Sequence, residues 1–379
     1  MKSLLKNTAL TVFKLLIYIF RIFPIRSNRV VFRSSSGTKY NCCPKYITEY
    51  ILETCPEDFE IIWIFNDPKQ YQQLTAQSIR LCRANSLASL YYFATARFVV
   101  DNHGPNSYFT KRKGQYVFNT WHGGGAYKKG FKNQAASHTA YTVVMKQNTD
   151  YFIASCRRIA ACGLFSDSPE KILPFGMARS DLFFRDTTAV RKKVFAHFGI
   201  AKDEKLLLYA PTYRYFETDT VYGLDCEKVT AACRERFGGT FRFAYRMHEF
   251  IIHNKTDMSG KNYINMNDYD DMQEILAAAD VIITDYSSLI WDAALMKKPC
   301  FIFATDLAQF IEERDFYTPV DKWPFPLAQS NQELTAVIGS FDEADYRIAC
   351  AQHLESLGSF ETGESAKKTV ALMKQLNNQ

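Results

Sequence analysis

Val281-Ile282-Ile283-Thr284-Asp285-Tyr286-Ser287-Ser288-Leu289-Ile290-Trp291 is the stretch from which the chain is best read. Its first four residues are β-branched and carry no polar alternation, the pattern of a strand buried on both faces of a parallel sheet. A helical pattern begins near Leu289, so Asp285 to Ser288 form a strand-to-helix turn. Free N–H groups at a helix start, beside two serine hydroxyls, make a seat for an anion of diphosphate size. The plainer reading is that Asp285 or Ser287 is only an N-cap.

The same alternation extends outward in both directions. Leu206 to Tyr209, Phe241 to Arg246 and Cys300 to Phe303 read as further strands, and Met272 to Ala279 as a helix in which Asp270 and Gln273 resemble a capping box. Toward the N-terminus, Arg29 to Arg33, Glu60 to Phe65, Arg97 to Asp101, Gln115 to Asn119, Tyr151 to Ala154 and Lys171 to Pro174 form a second set, with Ser86 to Ala96 suited to a crossover helix. A chain of 379 residues fits two such domains. The expectation is an α/β protein with two Rossmann-like parallel-sheet domains, residues 25–190 and 191–379, preceded by a helix over residues 1–24.

Composition narrows the class. Hydrophobic residues make up 47% and charged residues 23%, without low-complexity tracts, which excludes a disordered chain. The 10 cysteines include the adjacent Cys42 and Cys43 but no CxxC and no Cys/His cluster, a pattern of reduced thiols and a cytosolic setting. The net charge of +6 is unevenly spread, with nine basic residues and no acidic one before Glu49. Such a segment is drawn to polyanions, either lipid headgroups or nucleic acid. Ala9 to Phe23 is largely apolar, while Asn7, Thr11, Lys14, Tyr18 and Arg21 share one helical stripe. An in-plane helix on an anionic membrane surface is therefore expected, rather than a spanning one. The alternative is a helix packed on the protein's own surface.

Several strand ends carry chemistry. His122, Gly123, Gly124 and Gly125 follow the strand ending at Asn119, so an imidazole able to accept a proton precedes a glycine run that lets backbone N–H groups approach a ligand. Lys128 and Lys129 add positive charge beside it. Gly176 to Asp181 contains Arg179, whose planar fork suits a phosphate or a neighbouring carboxylate. His248 ends the strand Phe241 to Arg246 and His103 follows Val99 to Asn102, each readable as a ligand or as a structural histidine. Asp268-Tyr269-Asp270 has metal-binding spacing, but its place before a helix makes capping the better account.

Taken in order, these motifs resemble the CDP-glycerol glycerophosphotransferase family, whose members make teichoic acids and related phosphate-rich capsule polymers. The resemblance rests on Trp121-His122-Gly123 with Lys128-Lys129, Phe175-Gly176 through Arg179 and Asp181, and Tyr209 to Arg214. It continues through Arg246 to His248, Asp271 to Ser288, and Asp292 to Tyr317. Gly124-Gly125 is closer to capsule-type members than to many teichoic-acid enzymes. The resemblance implies a GT-B-like fold whose two domains face a central cleft, bound peripherally to the cytoplasmic face of the cell membrane. It implies a CDP-glycerol or CDP-ribitol donor and a lipid-linked polymer acceptor, with no nucleic-acid partner. By motif match His122 is the general base; His248, Arg179, Ser287 and Ser288 hold the donor phosphates; Asp285 contacts the polyol or orients the turn. No tightly bound cofactor is expected, and at most weak Mg²⁺ assistance, since cationic side chains and a helix terminus can stabilise a diphosphate. The rival reading is a GT-B glycosyltransferase using a nucleotide sugar in cell-surface polysaccharide synthesis.

Overall fold

The computed structural model describes residues 2–104, 109–129, 143–162, 168–212, 214, 223–247 and 263–378, with side chains from residue 11 onward. Its apolar runs become two parallel sheets. The first has seven strands in the order β3-β2-β1-β4-β5-β6-β7. These are β1 (Arg26–Arg33), β2 (Glu60–Phe65), β3 (Arg80–Arg83), β4 (Ala96–Asp101), β5 (Tyr116–Asn119), β6 (Tyr151–Ile153) and β7 (Ile172–Leu173). The second has six in the order β10-β9-β8-β11-β12-β13: β8 (Lys205–Tyr209), β9 (Phe241–Tyr245), β10 (Ile264–Asn265), β11 (Val281–Thr284), β12 (Cys300–Phe303) and β13 (Leu327–Ala328). Every pairing is parallel. The strands that sequence patterning missed, β3, β10 and β13, are two to four residues long and lie at or next to sheet edges.

By compactness the chain divides into two units. One holds the described parts of Met1–His122, Ala135–Asp181 and Phe360–Gln379; the other holds those of Gly123–Gln134 and Leu182–Ser359. The division falls before residue 190, and it also returns the last segment to the first unit. The reason is local. In the helix Ser365–Asn377, Val370, Met373 and Leu376 are buried, and this helix packs against α2 (Cys42–Thr54). Asp181 accepts the Ser365 and Ala366 N–H groups at 3.0 and 2.8 Å, capping that helix.

In the first unit α2 follows β1, and α3 (Leu87–Thr95) crosses from β3 to β4, starting at a reciprocal Ser86/Ser89 capping box. The N-terminal helix α1 (Lys2–Ile19) packs on α3 through Phe13, Leu16 and Ile17, with Phe20 from the turn that follows, around Leu90 and Ala94. Its other side leaves Val12, Leu15, Tyr18 and Ile19 exposed, and Ile22 and Phe23 extend that apolar surface. Arg21 is drawn inward, donating to the Thr110 carbonyl at 2.6 Å, so the polar stripe read from the sequence does not persist to its end. Among the described residues no helix is long and apolar enough to cross a membrane.

Part of the basic N-terminal charge is neutralised internally. Arg29 lies buried against Glu60 at 2.8 Å and under Tyr91 and Tyr92, and Arg33 is paired with Asp101 at 2.5 Å. Lys45 is buried as well, 3.8 Å from Glu49. These three are not free for polyanions.

Candidate active site

In a doubly wound sheet, ligands gather at the carboxyl ends of strands where the strand order reverses. The first sheet reverses between β1 and β4, the second between β8 and β11. Each switch point carries a polar cluster.

In the first unit, Arg33 at the end of β1 pairs with the buried Asp101 at the end of β4 and donates to the Gly104 carbonyl at 2.8 Å. Asp101 accepts the His103 N–H at 2.6 Å. Asn102 accepts the Ser35 N–H through Oδ1 at 2.9 Å, and the same oxygen lies 2.8 Å from His103 Nδ1. From β5, the chain turns at Trp121, whose φ is 53°, a left-handed value that strains a residue other than glycine. That turn brings His122 Nδ1 to 2.9 Å from the Asn102 carbonyl. The rings of His103 and His122 stack at 4.2 Å and 13°. Arg179 donates from Nη1 to the His122 carbonyl at 2.8 Å, and Cys42 Sγ contacts the Trp121 carbonyl at 3.9 Å.

The electrostatics follow from this crowding. Burial, then the charge on His103, hold His122 down to about 3. Burial and Arg33 hold His103 down to about 4. Both imidazoles are uncharged at neutral pH. Cys42 is lowered to about 6 by its hydrogen bond with Cys43, with Arg179 and Asn102 adding to the effect, whereas burial raises Cys43.

The glycine loop belongs to the second unit and serves packing. A Cβ on Gly124 would lie 2.1 Å from Trp291 Cδ1, and one on Gly125, where φ is 77°, would strike the Tyr127 ring at 2.3 Å. Gly124 therefore lies against Trp291 of the helix Leu289–Met296, and Gly125 turns closely past the Tyr127 ring, contacts that a side chain at either position would block. Tyr127 Oη meets His353 Nε2 at 2.9 Å, and Lys128 forms an antiparallel bridge with Phe316. Lys129 pairs with Asp315 at 2.7 Å on the surface, so it neutralises a neighbouring carboxylate. Lys128 is half-buried and stands near Asp285, Arg214 and Arg314; burial first, then Arg314, lower it to about 7.

Asp285 orients its turn. Both its oxygens accept the Thr212 N–H at 2.9 Å, and Arg214 Nη1 lies 2.8 Å away. Arg214 also donates to Asp306 at 2.5 and 3.1 Å, while Tyr286 Oη donates to the same carboxylate at 3.0 Å. Burial opposes the Arg214 charge, but the two carboxylates hold its pKa above the ordinary arginine value. Ser287 Oγ accepts the Leu289 N–H at 3.4 Å. Ser288 is the N-cap residue of the helix but makes no side-chain cap bond. Among the described residues, the N–H groups of Ser287 and Ser288 and the Ser288 hydroxyl have no hydrogen-bond partner. These are donors aimed from a helix start, as an anion seat requires.

The structure thus joins His122 with Arg179 in one unit, and Lys128, Asp285, Ser287 and Ser288 in the other. His248 and Glu249 lie outside the described residues. Gly123 is buried at the head of the loop. Asn102, Asp306 and Arg314 were not singled out from the sequence, since an asparagine, an aspartate and an arginine without a motif carry no signal until strand order places them. The cap of Met272–Ala278 is Asp271, which accepts the Gln273 N–H at 2.9 Å, in place of the expected Asp270.

Residues 15–374 match the family described as CDP-glycerol:poly(glycerophosphate) glycerophosphotransferase. The chain belongs to this family. Among members of the glycerophosphotransferase family, it is 26% identical over 343 residues to the teichoic acid poly(ribitol-phosphate) polymerase of Bacillus spizizenii, covering 84% of this chain and 52% of that one. It is 27% identical over 345 residues to the teichoic acid poly(glycerol phosphate) polymerase of Staphylococcus epidermidis, covering 84% and 47%. The chain therefore spans about half the length of these two relatives. The wall teichoic acid polymerase TagF superposes with a TM-score of 0.83 at 23% identity over 99% of this chain and 96% of that one, which establishes a shared GT-B-like fold.

Proposed function

We propose that the chain transfers glycerol phosphate or ribitol phosphate from a CDP-activated donor to a hydroxyl of a lipid-linked, teichoic-acid-like or capsular polymer, releasing CMP. The observation that carries this reading is the Ser287-Ser288 turn, whose unengaged N–H donors and hydroxyl lie at a helix start on the second sheet's switch point. Lys128, held near half-charge at neutral pH, belongs to the same unit and would regain its proton beside a diphosphate.

In the proposed reaction the acceptor oxygen attacks the polyol-bearing phosphorus. A new O–P bond forms, the P–O bond to the CMP phosphate breaks, and CMP leaves with the electron pair. The proton goes to His122 Nε2, because Nδ1 faces a carbonyl that can only accept and therefore carries the ring hydrogen. A ring held this low is a weak base alone, and the charge of an anionic substrate beside it would raise its affinity for the proton. Arg179 and Ser288 would bind donor phosphates, as would His248, which lies outside the described residues. Positioning and fixed positive charge would supply most of the rate. We assign no tightly bound metal a role; EDTA should leave most activity in place, and complete loss restored by Mg²⁺ would reverse that assignment.

The exposed apolar side of α1 favours peripheral attachment to an anionic membrane on the cytoplasmic side, where a lipid-linked acceptor would be presented.

Purified protein incubated with CDP-glycerol, CDP-ribitol and a panel of UDP-sugars tests the reaction. Release of CMP with an acceptor polymer is expected; UDP alone would establish sugar transfer instead. His122→Ala should lower CMP release by about 10²–10⁴-fold with donor affinity retained, and an unchanged rate would remove the general-base role.

A further inference from the structure

We propose that Asn102 and His103 are positioning residues for His122: Asn102 sets the tautomer of both stacked imidazoles, and His103 opposes the protonation of the ring it covers. The proposal rests on the reading of His122 as the base. Neither residue belongs to a motif on which the family resemblance was built.

The orientation of the Asn102 amide is fixed, because its Oδ1 accepts the Ser35 main-chain N–H at 2.9 Å. The same Oδ1 lies 2.8 Å from His103 Nδ1, so His103 Nδ1 must donate. The main-chain oxygen of Asn102 lies 2.9 Å from His122 Nδ1, which must donate likewise. One buried residue, through its two oxygens, therefore leaves the lone pair of each ring on Nε2. For His122 that is the free nitrogen at which an acceptor hydroxyl can give up its proton. The two rings lie 4.2 Å apart within 13° of parallel, so a proton on one repels a proton on the other.

The other charged and titratable groups around the pair act with or against this coupling. Arg33, at the end of β1, and Arg179, from the segment after β7, disfavour a proton on His103 and His122 respectively. Asp101 favours one on His122, but its carboxylate already takes Arg33 and the His103 N–H. Cys42, at the start of α2, contacts the Trp121 carbonyl. Among the described residues the stack thus lies near two cations, one engaged carboxylate and the Cys42 thiol, itself lowered to about 6, and a proton on one ring opposes a proton on the other. A phenylalanine at position 103 would fill the same space without being able to carry a charge, which separates the packing role from the electrostatic one.

The test combines rates with spectroscopy on the full chain. With CDP-glycerol and acceptor, the acidic limb of the kcat/KM profile should move toward neutral pH by about half a unit or more in His103→Phe, since only burial and Arg179 then oppose the His122 proton. The KM for donor should stay within about twofold. Asn102→Asp places a carboxylate against His103 Nδ1, beside the stack, and should move the limb in the same direction. Nitrogen-15 spectra of histidine-labelled wild-type protein should show both rings with hydrogen on Nδ1, and the His103 resonance should titrate differently in His122→Phe. An acidic limb unmoved in both variants, or His122 with hydrogen on Nε2, would overturn the proposal. The spectra need no turnover: if His122→Ala kept its rate, the base reading would fall while tautomer and coupling were still measured. Should His103→Phe fail to fold, the wild-type spectra decide.

Discussion

At the scale of single residues, Lys128 makes the sharpest claim. An ammonium lowered to about 7 is roughly half-charged in neutral solution, and binding a diphosphate beside it must draw a proton from solvent above that pH. Donor affinity should therefore weaken as pH rises from 7 to 9, by at most about tenfold per unit. Lys128→Met should be weaker at pH 7 and nearly flat, and Lys128→Arg flat and tight; calorimetric titration of CDP-glycerol measures all three. A wild-type affinity that does not change over this range would separate Lys128 from the donor. His122, Arg179 and the serine turn could be placed at strand ends from the sequence because each lies a few residues beyond an apolar run that reads as a strand. The packing reason for one glycine was not legible: only the Trp291 ring, brought in by folding, shows that a side chain occupies the Cβ position of Gly124. Gly124→Ala should destabilise the protein by about 1–3 kcal/mol, read as a lower urea midpoint with unchanged slope.

At the scale of elements, patterning found the long strands and crossover α3, because buried parallel strands are uninterrupted apolar runs. It missed β10 and β13, each two residues long, for which two side chains carry no period. The α1 segment was ambiguous for a physical reason: it is apolar on more than one side, and folding uses one side against α3 while leaving another to solvent. Deleting it would strip the cover from Leu90 and Ala94, so membrane binding is better tested by surface substitution. Leu15→Glu with Ile22→Glu, at positions 60% and 78% exposed, should abolish sedimentation with anionic liposomes while leaving thermal stability within about 2 °C. Undiminished sedimentation would assign the membrane contact, if any, to another surface.

For the whole molecule, the doubly wound plan was readable from alternating strands and helices, but the ownership of segments was not. Nothing in the glycine loop announces that it packs with the later sheet, nor in residues 360–378 that they return to the earlier one. The two depressed imidazoles also give the folded protein a pH signature. Their unfolded value is near 6.5 and their folded values are about 4 and 3, so the unfolded chain binds more protons between these limits. Their contribution to stability is present above pH 6.5 and is lost as pH falls toward 4. Thermal melts between pH 7 and 4.5 should show a falling midpoint, with a shallower fall when both rings are replaced by phenylalanine; equal slopes would mean that the stack titrates normally. The capped helix Ser365–Asn377 carries a separate consequence for biosynthesis. On the ribosome, the later sheet's unit has all its residues once Ser359 has emerged, while the unit begun first waits for the helix that covers α2. The order of synthesis and the order of completion are therefore reversed, and nascent chains stalled short of that helix should leave the earlier unit open to protease.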